Sequence, residues 1–362
     1  MDISTICVHG CDKSYDTTGA VAVPIFASAT FAHPGVGQST GFDYSRSQNP
    51  TREHLEHTVA KLEGGKHALA FSSGMAATLA LMELFLPGDH IVASDDLYGG
   101  TYRFFTHISK KNGIKFSYAD SISGIKAAIT PSTKAIFLET PTNPMMRVTD
   151  IAEAAKIAKE KGLLLIVDNT FLTPYFQRPL SLGADIVLHS GTKYLGGHND
   201  TLAGLLVLKD DAIDERLRFI SKTIGACLSP FDSFLIIRGI KTLAVRMERQ
   251  QETAKHIAKW LTERSEVAKV HYCNVGAMIS FSLKNEQIAT KILERVKIIK
   301  YAESLGGTES LITYPILQTH ADMPVSERDA RGINANLLRL SVGLESPKDL
   351  VADLEQAIAE QA

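Results

Sequence analysis

The chain has 362 residues, 44% of them hydrophobic and 22% charged, with a formal net charge of -2. This length exceeds the roughly 250–300 residues at which a single core stops growing, and it points to two domains. The charge balance offers no basic face for nucleic acid, and no apolar run approaches the roughly 20 residues that span a bilayer, so neither a nucleic-acid nor a membrane partner is expected. Cys7, Cys11, Cys227 and Cys273 are scattered, and no second pair joins Cys7 and Cys11 to complete a metal site, so free thiols and no metal centre are expected. The first residues carry no basic segment leading into an apolar stretch, which makes the cytoplasm the expected location.

Residues 1–48 are rich in Gly, Ser, Thr and Pro with little helical period, and read as an extended arm that needs another surface to lie on. Asn49-Pro50 sets an N-cap before a first-turn proline, Leu55, Val59 and Leu62 follow at helical spacing, and Gly64-Gly65 stops the pattern; a helix over 50–63 is predicted. Apolar runs come next at 67–71, 91–94, 115–118, 135–138, 163–167, 186–188 and 202–208, most of them separated by helical patterns such as 75–86 and 151–161. Strands that are apolar throughout and separated by helices imply a mainly parallel sheet covered on both faces. Ligands of such sheets bind at the carboxyl ends of the strands. The stretch 231–263 is helical in pattern, with a bend expected near Gly239, and carries the chain from a large domain (49–240) into a smaller C-terminal one (241–362). There, strands are predicted at 267–272, 277–283 and 337–342, with a helix near 286–297 and another after Pro347.

Three stretches carry candidate chemistry. Ser190-Gly191-Thr192-Lys193-Tyr194 directly follows an apolar run. A lysine at a strand end can be desolvated to a neutral amine able to form a Schiff base, the ordinary alternative being a solvated surface lysine. Ser72-Ser73-Gly74-Met75 follows a strand and opens a helix, where backbone N–H groups cradle a phosphate unless the small residues serve the turn alone. Asp168 ends a buried run and either caps a turn or pairs with a protonated ring nitrogen, as pyridoxal phosphate requires. Asp168 and Lys193 are expected to end neighbouring strands.

Taken in order, Tyr44-Ser45-Arg46, Asn49-Pro50-Thr51, Ser73-Gly74-Met75, Tyr98-Gly99-Gly100-Thr101, Glu139-Thr140-Pro141-Thr142-Asn143-Pro144, Val167-Asp168-Asn169-Thr170, Thr192-Lys193-Tyr194 and Ala302-Glu303-Ser304-Leu305-Gly306-Gly307 resemble the Cys/Met-metabolism family of pyridoxal-phosphate enzymes, from about residue 5 to the end. The resemblance implies the PLP-dependent transferase fold (fold type I, aspartate aminotransferase-like), an α/β architecture with a mainly parallel seven-stranded sheet, helices on both faces and a smaller C-terminal α/β domain. It implies that Lys193 holds pyridoxal 5'-phosphate and then shuttles protons, and that Asp168 keeps the ring nitrogen protonated. Gly74 and Met75 backbone groups, with Ser190 and Thr192, would bind the phosphate. Tyr98 would stack on the ring and free the substrate amine. Arg339 would clamp the substrate carboxylate, helped by Ser304 and Asn143. Tyr44 and Arg46 would reach the site of a neighbouring subunit, Tyr44 touching substrate as well, so a homo-oligomer is expected, a homotetramer built from dimers with shared sites. His189 and Asp200 read as strand-end and loop polar residues.

Within the family, Glu303 before Ser304 resembles the enzymes that act at the γ-carbon, and Gly100 stands where methionine γ-lyases carry a cysteine. Between Val270-His271-Tyr272 and Gly276-Ala277-Met278 the chain has only Cys273-Asn274-Val275, where most members have a longer excursion; Gly191 is a minor departure. A short bacterial subgroup that builds cystathionine and also acts as O-acetylhomoserine thiolyase is similar here, and shares Gly41-Phe42-Asp43-Tyr44 and Ile312-Thr313-Tyr314-Pro315. The expected reaction is γ-replacement on an O-acyl-L-homoserine, the acetyl ester foremost, by L-cysteine; cystathionine γ-cleavage and direct sulfhydrylation are the alternatives.

Overall fold

The structure is a computed structural model that describes residues 1–11 and 17–359. Seven strands, β1 (His67–Phe71), β2 (His90–Ser94), β3 (Lys115–Ala119), β4 (Thr133–Glu139), β5 (Leu164–Asp168), β6 (Ile186–Ser190) and β7 (Gly204–Leu208), form one sheet in the order β1-β7-β6-β5-β4-β2-β3. Each predicted apolar run holds one of them. Successive side chains of a strand face opposite sides, and here both sides are covered: Ala135 and Phe137 of β4 pack in one apolar cluster, Ile136 and Leu138 in another.

The sheet is parallel except for β7, which runs antiparallel to both β1 and β6. The reason lies in the connection, since a parallel crossover needs a helix and none spans 191–203. That exception keeps the loop after β6, with Lys193 in it, compact at the carboxyl end of the sheet.

A second sheet is built from β8 (Val267–His271), β9 (Met278–Leu283), β10 (Lys300–Tyr301), β11 (Leu311–Thr313) and β12 (Leu337–Ser341), in the order β10-β11-β12-β9-β8. The short link over 272–277 is a tight β8–β9 turn, with Asn274 and Gly276 at φ 63° and 76° and the Tyr272 hydroxyl donating to Gly276 O at 2.8 Å. One apolar cluster runs on without a break from Leu55, Val187 and Leu205 to Phe281 and Leu340, and so joins the two sheets.

The helix Pro50–Glu63 starts and stops as predicted: Asn49 Oδ1 accepts from the Thr51 amide at 3.0 Å, and Gly64 takes the left-handed conformation at φ 73°. One expectation is corrected and another refined. The arm is not extended throughout: Ile3–His9 is a helix capped by Asp2, whose Ile6 and Cys7 are buried against the core. Its apolar residues Ile3, Ile6 and Cys7 do lie at helical spacing, but over too few residues to stand out among Ser and Thr. The remainder of the arm lies along helix Pro50–Glu63 at its start, with Phe26 N donating to Thr51 Oγ1 at 2.9 Å; residues 12–16 lie outside the described residues. The stretch 231–263 is interrupted near Gly239 as expected, but by a break rather than a bend: it is two helices, Pro230–Ile240 and Leu243–Thr262, separated at Lys241-Thr242. Gly239 serves close approach: a Cβ there would lie 2.2 Å from Gly196 O and 2.5 Å from Leu195 O. The helix therefore lies directly on the loop that carries Lys193. Among the described residues, no helix is long and apolar enough to cross a membrane.

Candidate active site

The carboxyl ends of β1, β4, β5 and β6 and the loop before β11 enclose a cavity of about 320 Å³. Lys193, Asp168, Tyr98, Gly74, Met75, Ser190, Thr192, Asn143, Glu303, Ser304 and Arg339 all line it. Tyr44 and Arg46 do not. Arg46 Nη1 donates to Lys222 O at 2.6 Å and the guanidinium lies 5.5 Å from the Tyr44 ring, on the outside of the same chain.

Lys193 Nζ donates to Ser304 Oγ at 2.8 Å. Burial, and then the Arg339 charge, lower its pKa from 10.5 to about 8, against Glu303, which raises it. Ser304 sits at φ 101°, a conformation that costs a non-glycine residue energy and that clusters at functional sites. The Lys193 loop is held from beneath by the buried Arg246, whose Nη1 donates to Tyr194 O at 2.8 Å and Nη2 to Gly239 O at 2.8 Å.

Asp168 ends β5 beside β6, the strand that leads to Lys193, as expected of neighbouring strand ends. Its Oδ1 accepts from the Thr170 amide at 3.0 Å and the Thr170 hydroxyl at 2.5 Å; Thr170 Oγ1 in turn accepts from Ser190 N at 2.9 Å. Burial raises its pKa, and the Thr170 bonds and the His189 charge oppose that. At the other end of the cavity the helix Gly74–Met82 begins, with Ser73 Oγ accepting from Ala76 N at 3.1 Å. The preceding amides, of Gly74 and Met75, have no intrahelical partner, and both residues line the cavity. Gly204 makes this cradle possible, since a Cβ there would lie 2.0 Å from Ser73 O.

Arg339 is 1% exposed, and burial lowers its pKa to about 10. Nη1 donates to Asn143 Oδ1 at 2.9 Å and Nη2 to Ser304 O and Thr313 Oγ1 at 3.1 Å each, while Nε is buried without a partner. A charged donor left over in this way is what a carboxylate ligand satisfies.

Sequence reasoning passed over Glu139. It ends β4 directly opposite Asp168, lines the cavity and accepts from Tyr98 N at 2.8 Å. Burial and the neighbouring Asp168 push its pKa well above the ordinary carboxylate range. The available signal was the same as for Asp168, a carboxylate ending an apolar strand. His189 is a strand-end residue as read, fully buried with Nε2 2.6 Å from Glu63 Oε1, and Asp200 lies exposed in the loop.

Residues 4–359 match the family described as Cys/Met metabolism PLP-dependent enzyme, and the chain belongs to that family of pyridoxal-phosphate enzymes. Among its relatives, cystathionine gamma-synthase of Haemophilus influenzae is 54% identical over 360 residues, covering 99% of this chain and 98% of the relative. Cystathionine gamma-synthase/O-acetylhomoserine (thiol)-lyase of Bacillus subtilis is 52% identical, covering 96% and 94%. The crystal structure of cystathionine gamma-lyase from Lactobacillus plantarum complexed with L-serine superposes with a TM-score of 0.95 at 44% identity, covering 99% and 98%.

Proposed function

We propose that the protein catalyses γ-replacement on O-acetyl-L-homoserine by L-cysteine, releasing acetate and forming L-cystathionine. The observation that carries this reading is the group at the cavity centre. A lysine amine with a pKa of about 8 touches Ser304, with Glu303 beside it and a buried arginine holding a spare N–H next to it. Two relatives above 50% identity over nearly the whole chain carry the γ-synthase name, which supports the same choice.

The cavity fits pyridoxal phosphate. The open amides of Gly74 and Met75, with the Ser190 and Thr192 hydroxyls, would hold the phosphate; Asp168 would meet the ring nitrogen with the oxygen that Thr170 leaves free, Lys193 the aldehyde carbon, and Tyr98 the ring face. Bound there, the cofactor supplies an electron sink for negative charge developing beside the amino-acid Cα. The chain's own residues do the rest. Arg339, steadied by Asn143, binds and orients the substrate carboxylate. Tyr98, ionised, takes a proton from the incoming amine; burial raises its pKa, and the Arg103 and Arg339 charges work in favour of the phenolate. Lys193 Nζ, poised near neutrality, takes the proton from Cα and moves a second at Cβ, and Ser304 Oγ holds it between the two. The ester C–O bond at Cγ then breaks with loss of acetate, and the cysteine thiolate forms the C–S bond at that carbon.

Gly100 supports the choice over methionine cleavage, since a side chain there would start 2.4 Å from the Tyr98 ring. Tyr44 and Arg46, outside their own cavity, would complete that of a second copy, in a dimer or a tetramer of dimers. A second reading, cystathionine γ-cleavage, draws on the likeness to the Lactobacillus plantarum enzyme. Incubation with O-acetylhomoserine and cysteine should yield cystathionine and acetate in equal amounts. Formation of 2-oxobutanoate and ammonia instead would overturn the proposal, and sulfide in place of cysteine measures direct sulfhydrylation.

A further inference from the structure

His320 lies outside the motifs read from the sequence and is 1% exposed. It belongs to the segment that follows β11, and three parts of the site meet on its ring. Its Nε2 lies 3.2 Å from Leu97 O and 3.2 Å from Asn143 O, and its Nδ1 2.8 Å from Thr319 Oγ1. Carbonyl oxygens only accept, so Nε2 carries the proton and donates to both. Burial lowers the pKa of the ring to about 4, which keeps it neutral and leaves Nδ1 to accept from the Thr319 hydroxyl.

The Leu97 carbonyl and the Tyr98 amide belong to one peptide unit. His320 grips its oxygen, and Glu139 Oε2 accepts from its N–H at 2.8 Å. The plane from which the Tyr98 ring departs is thus held at both ends by buried side chains. Asn143 is pinned in the same way, its backbone oxygen by His320 and its side-chain oxygen by Arg339 Nη1. The surrounding contact is tight, since a Cβ at Gly99 would lie 1.7 Å from Thr319 O.

We propose that His320 is a positioning residue which, through one N–H shared by two carbonyls, sets Tyr98 and Asn143 in register with each other across the cavity. The inference rests on the roles proposed above for those two residues. A site held within about half an ångström by such supports loses up to about 10²-fold in rate when they slip by about 1 Å.

The test compares His320→Leu with His320→Gln in the cofactor-loaded enzyme. Glutamine Nε2 falls near the place of the imidazole Nε2 and keeps the donor; leucine fills the space without it. The leucine variant is predicted to lower kcat/KM by about 10²-fold, with kcat and KM both affected because Tyr98 and Asn143 serve different steps. Its visible circular dichroism, from the bound cofactor against the Tyr98 ring, should weaken too. Glutamine is predicted to regain at least about tenfold of the lost kcat/KM and to restore the dichroism; a folded glutamine variant that regains less overturns the proposal. Should the leucine variant not fold, His320→Asn, whose amide stops short of both carbonyls, replaces it under the same criterion. The dichroism does not depend on which substrate turns over, so a wrong choice of reaction leaves this test standing.

Discussion

Replacing Lys193 by methionine should abolish turnover and yet stabilise the protein when the cofactor is absent. Burial lowers the lysine's pKa from 10.5 to about 8, and at 1.36 kcal/mol for each tenfold change in acidity this amounts to about 3 kcal/mol. The folded state binds the proton less tightly than the unfolded chain, so the unfolded state holds more protons between pH 8 and 10.5. Stability therefore rises with pH across that window, and below it the cost is present in full. Methionine fills a similar volume without charge, but gives up the bond to Ser304 Oγ at 2.8 Å, worth about 1 kcal/mol. The net gain at pH 7 is about 2 kcal/mol, or a few degrees in Tm for a chain of this size. Thermal melts of both apo-proteins at one fixed protein concentration should show the variant higher at pH 7 and the difference gone or reversed at pH 10.5. A Lys193→Met protein that melts lower than the parent at pH 7, or by the same margin at both pH values, would refute the argument from burial.

Other outcomes follow from single contacts. Gly239→Ala puts a Cβ 2.2 Å from Gly196 O and should cost about 1–3 kcal/mol by overpacking, with cofactor content falling as the Lys193 loop shifts, measured by Tm and absorbance. Arg339→Leu removes the buried guanidinium and its spare N–H; kcat/KM should fall by at least about 10²-fold, the equivalent of a lost charged pair, while the cofactor colour stays. Mixing inactive Arg46→Ala and Lys193→Ala proteins should restore up to about a quarter of the parent activity if two copies share each site, and no recovery counts against shared sites.

Much of this arrangement is legible in the chain because the sheet is buried on both faces. Runs such as 67–71 and 186–188 had to be apolar at every position, and loops at their carboxyl ends had to carry the polar residues. Asp168 and Lys193 stand out for that reason, each a polar group ending an apolar run. Glu139 met the same criterion, but its run leads into Thr140-Pro141, where a turn accounts for a carboxylate equally well. The reversed β7 was harder to see, since an apolar strand reads the same in either direction. Only the missing helix over 191–203 marks it. Near Gly239 the helical stretch does break, but the close approach that Gly239 itself serves was not visible, because a sequence shows where a side chain is missing but not what stands in its place. His320 carries no sequence signal at all: its importance comes from Leu97 and Asn143, both more than 170 residues away in the chain.

The most direct measurement of the central claim is a pair of initial rates on one preparation of enzyme, O-acetylhomoserine with cysteine against cystathionine alone. γ-Replacement should run at least about tenfold faster, a margin of about 1.4 kcal/mol in the barrier. Cystathionine cleavage at an equal or greater rate would contradict the account and assign the cavity to a lyase.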